Sequence, residues 1–157
     1  ILEAMRLVPE LPLQLDLHGR RWPDDPYEKT LFPLLEAEGR AQAHGRFADD
    51  ELPGILAAAD LLVVPSTCPE SFGLATREAF LAGRPVLSTD RGALPESVHE
   101  GEDGLLVPAE DPAALAASLR RLIEEEGLLA RLSMGAATAR PRTMDDYAAE
   151  LEAFLYS

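Results

Sequence analysis

The chain has one cysteine, Cys68, and one lysine, Lys29, in 157 residues. A lone cysteine excludes an internal disulfide framework and cannot by itself make a zinc site, so a reducing, cytoplasmic setting is expected. Cations are scarce too: 14 Lys and Arg stand against 28 Asp and Glu, for a formal net charge of -14 and a pI near 4.5. Nucleic-acid backbones and anionic membranes reward a basic face, so neither is an expected partner. No apolar run approaches the roughly 18 residues that a membrane span needs, and no charged-then-apolar leader is visible. Asp-x-Asp does not occur, the Asp pairs at 24–25, 49–50 and 145–146 fall in loops or helix starts, and His18, His44 and His99 lack ligand-like spacing. No metal site is expected from them. The absence of Gly-x-Gly-x-x-Gly weakens a dinucleotide dehydrogenase reading.

What is present is a chain nearly half apolar and of the size of one globular domain. It starts at Ile1 rather than Met, which suggests a piece of something longer. "LQLDLHG" alternates apolar and polar residues and predicts a strand at 13–17, and "YEKTLFPLLEAEG" predicts a helix stopped by Gly39 and bent or delayed by Pro33. "AQAHGRF" predicts a second strand. A helix follows with Leu52, Ile55, Leu56 and Ala59 on one face and Asp49 or Asp50 at its cap. "DLLVVPS" is continuously apolar, as in a parallel strand buried on both faces, and a helix to about Ala82 leads to a further buried strand in "RPVLST". "DRGALPESVHEGEDGLLVP" predicts a short helix, a turn at Gly104 and a last strand. "DPAALAASLRRLIEEEG" predicts a helix with an Asp cap, Leu115, Leu119, Leu122 and Ile123 inward, and Gly127 as its end. Alternating strands and helices imply right-handed crossovers and a parallel sheet covered on both faces, with ligands at the carboxyl ends of the strands.

Those ends carry His18-Gly19-Arg20, His44-Gly45-Arg46, the loop from Pro65 to Phe72, and Asp90-Arg91-Gly92. Phe72-Gly73-Leu74 falls at a helix start, where the first backbone N–H groups lack partners and favour an anion such as a diphosphate. Glu70 precedes that start and Glu78 lies about one and a half turns inside. Carboxylates are poor phosphate ligands but good acceptors for paired sugar hydroxyls, so one could hold a donor sugar and the other a ribose. The plainer alternative is that Glu70 caps the helix and Glu78 is a solvated helix residue.

Several ordered stretches, "ADLLVVPS", "ESFGLATREA" with its E-x7-E, "LAGRPVLSTDRGALPESV" and "GEDGLLVPAEDPAALAASL", make the chain resemble the group 1 glycosyltransferases over nearly its whole length. The resemblance is to the second, nucleotide-sugar-binding domain of their GT-B fold, and it implies a single Rossmann-like α/β/α domain over 1–157. It also implies metal-independent, retaining transfer of a sugar from a UDP- or GDP-type donor to an unknown acceptor, with no cofactor. Glu70 is then similar to the glutamate that holds donor sugar hydroxyls, Gly73, Leu74 and Ala75 to backbone donors around sugar and phosphate, Glu78 to the ribose ligand, and Arg46-Phe47 to the turn that meets the base. The family's domain opens with a strand and cations for the diphosphate. Here Ile1 to Leu7 reads as the helix after that strand, so the first strand is expected to come from residues outside the chain, a separate chain, or exchange between copies. The acceptor-binding domain is missing as well, so the isolated fragment is expected to be a poor catalyst, and peripheral membrane contact could come only through that domain.

Gly19 and Arg20, with Arg21, are candidates to lend the diphosphate a backbone turn and positive charge, against the reading of solvated loop residues. Arg91 is a candidate contact on the ligand side, Arg77 flanks the motif, and Arg84 reads as surface. His18 and His44 read as satisfied structural residues, Cys68 as packing, and Trp22 as a cover on an apolar patch. The helix expected over 143–157 carries Tyr147, Leu151, Phe154 and Leu155 on one side, a core face or, as the family implies, a face that docks on the absent domain. Two other classes remain: a non-catalytic half that serves assembly, disfavoured by the intact Glu70 and Glu78, and a nucleotide-sugar epimerase of the same fold.

Overall fold

The computed structural model describes residues 1–22, 24–141 and 144–156; Pro23, Arg142, Thr143 and Ser157 lie outside the described residues, and parts of the loop and last-helix expectations fall on them. Thirteen elements follow in order among those described. They are α1 (Leu2–Arg6), β1 (Leu15–His18), α2 (Pro26–Glu38), β2 (Ala41–Gly45), α3 (Leu52–Ala58), β3 (Leu62–Val64), α4 (Leu74–Leu81), β4 (Val86–Thr89), α5 (Leu94–Ser97), β5 (Gly104–Val107), α6 (Pro112–Glu124), α7 (Leu128–Thr138) and α8 (Met144–Leu155). All strand pairs are parallel, as the βα alternation requires. The α/β expectation holds, and no helix among the described residues is long and apolar enough to cross a membrane.

The parallel strands form two sheets, β1-β2 and β3-β4-β5, rather than one. β4 lies between two partners, and all four of its residues are buried. Its side chains alternate: Leu87 joins a cluster with Ala4 and Val8 beside α1 and with Leu115, Leu119 and Leu122 of α6, while Val86 joins Ala79 and Phe80 of α4 on the other face. These are the outer layers of a three-layer arrangement. A third cluster, Leu2, Met5 and Leu35, packs α1 and α2 against Leu15 and Leu17 of β1. Ile1 and Leu13 touch both the first and third clusters, so the chain's first residues sit where the two sheets share a core. Burial lowers the pKa of the Ile1 amino group, because a charged amine is poorly solvated there.

Several local expectations are corrected. β3 is only half-buried at every residue, because one of its edges and the surface beside it have no strand partner among the described residues. Neither Asp49 nor Asp50 caps α3; the cap residue is Glu51, whose Oε2 accepts from the Ala48 N–H at 2.6 Å. Gly104 is the first residue of β5 rather than a turn, and a Cβ there would lie 2.3 Å from the Val86 carbonyl oxygen. In α6 the Asp111 cap accepts from Ala114 N–H at 2.9 Å as expected, but Ile123 is 43% exposed, and Ala116 and Ser118 fill the inward stripe with the three leucines. Gly127 ends nothing: it is the cap of α7, in the left-handed region at φ +78°. On α8, Leu151, Phe154 and Leu155 are exposed, which overturns the core reading of that face.

Arg40 ties the first helix to the second strand. Its Nη1 donates to the Val8 and Leu11 carbonyls at 3.0 and 3.2 Å, its Nη2 to Met5 O at 2.8 Å, and its Nε to Glu38 Oε1 at 2.7 Å. The rigid guanidinium fork thus gathers three carbonyls from α1 and the turns after it, each also accepting a backbone N–H, which a lysine ammonium cannot match. Arg40→Ala should lower stability by about 2 kcal/mol, the scale of charge-assisted hydrogen bonds lost from a half-buried position, and Arg40→Lys should recover less than half of it; urea denaturation followed by circular dichroism measures both.

Candidate donor site

The residues singled out in the sequence gather at the carboxyl ends of the strands in two groups, one per sheet. At β1 and β2, the Gly19 N–H donates to Gly45 O at 2.8 Å, which holds the two His-Gly-Arg turns together. The His18 and His44 rings stack at 4.6 Å between centroids, Phe47 meets His18 edge-on at 6.1 Å, and His44 Nε2 lies 2.6 Å from Asp16 Oδ1. His44 is thus a satisfied residue, as expected. Arg46 is exposed beside this cluster. Arg20 stacks on the Trp22 ring at 4.0 Å, and Arg21 lies over Phe32 at 3.5 Å while pairing with Glu28 at 3.7 Å. Trp22 is itself exposed and covers Arg20 rather than an apolar patch.

At β3 and β4 the geometry is tighter. Gly73 is the cap residue of α4 in the left-handed region, φ +68°, with no side chain on the helix end. Leu74 and Ala75, both exposed, open the first turn, where the leading N–H groups have no partner within the helix. Buried Thr76 donates from Oγ1 to Gly73 O at 2.6 Å and holds that turn. The reading of Glu70 as a helix cap is corrected: its Oε1 accepts from Ser66 Oγ at 2.7 Å instead. Glu78 is half-buried on α4, not fully solvated. Arg77 donates from Nε to Phe72 O at 3.2 Å and from Nη2 to Tyr147 Oη at 3.1 Å, with its guanidinium 4.1 Å over the Phe72 ring. It braces the loop into α4 and ties α8 to it.

Arg91 reaches Glu110 at 3.7 Å, Arg84 donates to Ala57 O at 2.6 Å, and Cys68 is exposed in the loop, so the packing reading of that thiol is corrected. Sequence reasoning placed Ser66 and Gly92 in the strand-end loops but gave neither a role of its own. The signal for Gly92 was its place after "STDR" at the end of a buried strand, where a glycine marks a close backbone approach.

A family model for group 1 glycosyl transferases matches residues 1–125. The chain belongs to the group 1 glycosyltransferases. Among curated relatives, D-inositol 3-phosphate glycosyltransferase of Streptomyces bingchenggensis is 44% identical over 108 residues, covering 69% of this chain and 24% of that protein. Among solved structures, HepE of Anabaena in complex with UDP matches 99% of this chain and 44% of its own, with a TM-score of 0.83 at 27% identity; the same protein is also solved with UDP-glucose. A sucrose-phosphate synthase of Thermosynechococcus elongatus matches 99% of this chain and 42% of its own with a TM-score of 0.81 at 26% identity. The chain therefore spans about a quarter of the length of that curated relative and less than half of these solved chains.

At Gly73, the cap of α4, a Cβ would lie 3.0 Å from Thr76 Oγ1 and 3.2 Å from Leu94 Cδ2, in a backbone region that costs L-residues energy. Gly73→Ala should destabilise the fold by about 1–2 kcal/mol, read as a lowered melting temperature by calorimetry.

Proposed function

We propose that this chain is the donor-binding domain of a metal-independent, retaining glycosyltransferase that takes a UDP-type nucleotide sugar. The observation that carries the reading is the pair of carboxylates astride the α4 start, Glu70 held in the loop before it and Glu78 one and a half turns inside, with the bare Gly73 cap between them. Such an end offers N–H groups to a diphosphate. The flanking carboxylates accept hydroxyls: Glu70 those of the donor sugar, Glu78 those of the ribose. The Arg46-Phe47 turn meets the base from the β1-β2 sheet, and Gly19 and Arg20 lie beside it. Negative charge that builds on the leaving diphosphate is met by the α4 amides, as preorganised dipoles do in a water-poor site. The UDP complex of the structurally similar HepE supports uridine as the base. GDP-type donors are the alternative for the test.

The split sheet bears on activity. Both β1 and β3 carry one edge without a strand partner among the described residues, and Ile1 packs at the core the two sheets share. A parallel strand ahead of α1, joined to β1 by a right-handed crossover, would fill both edges and bury β3. It would also replace the charged Ile1 amine with a neutral peptide bond. The exposed Leu151, Phe154 and Leu155 of α8 then serve to dock the acceptor-binding half of the longer protein.

Titration calorimetry tests the assignment. Glu78→Ala should weaken UDP and UDP-glucose alike by about tenfold, and Glu70→Ala should weaken chiefly UDP-glucose, by a similar factor; equal and unchanged binding in both variants would sink it. A chain lengthened by its natural upstream residues should bind UDP more tightly than residues 1–157 and protect the β3 amides from hydrogen exchange, while equal protection in both chains would reject the completing strand.

A further inference from the structure

We infer that Ser66 and Gly92 are positioning residues for Glu70, and that the turn after β4 is the template on which the donor-sugar carboxylate is set. The inference rests on the donor reading for the role of Glu70 and on contacts that stand apart from it. Past the end of the β3-β4 ladder, Glu70 and Gly92 form one further parallel bridge, and the Ala93 N–H donates to Glu70 O at 2.8 Å. The approach is so close that a Cβ on Gly92 would lie 2.2 Å from Glu70 O and 2.6 Å from Glu70 N, well inside van der Waals contact. Gly92 also sits in the left-handed region at φ +61°, so an L side chain is disfavoured twice.

The backbone contact places Glu70, and a second contact aims it. Ser66 Oγ donates to Glu70 Oε1 at 2.7 Å, and the Ser66 carbonyl is itself held by the hydroxyl of nearly buried Thr89 at 2.7 Å. Thr89 is the last residue of β4, three positions before Gly92. One strand end therefore fixes both the main chain and the carboxylate rotamer of Glu70. With Oε1 engaged by a hydroxyl, Oε2 is the oxygen presented to a ligand hydroxyl. A free glutamate has three rotatable bonds to settle on binding; a carboxylate already held by Ser66 loses less freedom when the sugar arrives.

The test uses the full-length protein with UDP and UDP-glucose as probes, in Ser66→Ala, Ser66→Thr, Gly92→Ala, Glu70→Ala and the Ser66→Ala/Glu70→Ala double variant. Ser66→Ala should weaken UDP-glucose by about fivefold to tenfold and leave UDP within about twofold, with Ser66→Thr restoring most of the loss. In the Glu70→Ala background the Ser66→Ala effect should vanish, since a positioning residue has nothing left to position. Equal losses for both probes, or an undiminished Ser66 effect without Glu70, would overturn the inference. If Glu70→Ala itself leaves the UDP-glucose preference unchanged, the donor reading fails, and the brace is then judged without ligand. In hydrogen exchange, Gly92→Ala should speed exchange of the Ala93 amide by at least about tenfold while amides of β4 keep their protection; an unchanged Ala93 amide would reject the brace, whatever the donor.

Discussion

The hydrogen-bonded place of β4 between β3 and β5 is what the rest of the structure depends on. Val86, Leu87 and Ser88 pair on both edges, Thr89 pairs with β5 alone, and all four are buried. Backbone groups so far from water must be bonded, and here parallel neighbours supply the partners. The same four residues send Leu87 into one apolar cluster and Val86 into the other, so the outer helical layers are referenced to one strand. Gly104 is a glycine because Val86 O leaves no room for more. At the carboxyl end, Thr89 grips the Ser66 loop, and Asp90 Oδ1 accepts from Ala109 N–H at 3.2 Å, fastening the loops on either side.

From that base the site is built mostly of backbone. Gly73 gives α4 an open end because its positive φ turns the chain without a Cβ in the way, and Gly92 lets two loops touch where any side chain would part them. Side chains then do narrower tasks. Ser66 orients a carboxylate, Thr76 locks a turn, and Arg77 joins Phe72 to Tyr147 of α8. Contacts of this sort are short and local, so they survive in a chain whose β1-β2 and β3-β4-β5 sheets are not joined by a strand. A site shared between the two sheets, by contrast, depends on whatever holds them in register.

Much of this was legible in the sequence, for reasons that can be given residue by residue. The alternation of "LQLDLHG", the Asp111-Pro112 start and the Gly39 stop are local signals, and they placed β1, the start of α6 and the end of α2 within a residue or two. What misled was context. "LLVV" reads the same whether its neighbour strand is present or not, so half-burial of β3 could not be seen in it. Ile123 lies on the helical stripe by spacing, yet the sheet beneath α6 is met by Ala116 and Ser118, and the larger side chain is left outside. Glu70 looked like a cap because a carboxylate before a helix usually is one; only the loop's path brings Ser66 to it instead. The roles of Ser66 and Gly92 were harder to read, since they lie in contacts between distant positions, Gly92 with Glu70 across 22 residues and Thr89 with Ser66 across 23, that no local pattern encodes.

The charge of the chain sharpens the chemistry. A domain with a formal net charge of -14 repels a diphosphate at long range, so the proposed donor binding has to draw on short-range donors that a low local dielectric strengthens. The arginines near α4 are already engaged: Arg77 with a carbonyl and a tyrosine, Arg91 with Glu110, Arg84 with a carbonyl on α3. Those bonds hold the loops in place but draw the cations away from any anion at the helix start. The amides of Leu74 and Ala75 have no such commitment among the described residues, and as main-chain dipoles they cannot be neutralised by surrounding carboxylates. An acidic surface and an anionic ligand are therefore compatible here, provided that the ligand is gripped by main chain and read by Glu70 and Glu78 through its hydroxyls. On the proposed donor reading, carboxylates that would repel a bare phosphate favour a sugar attached to it.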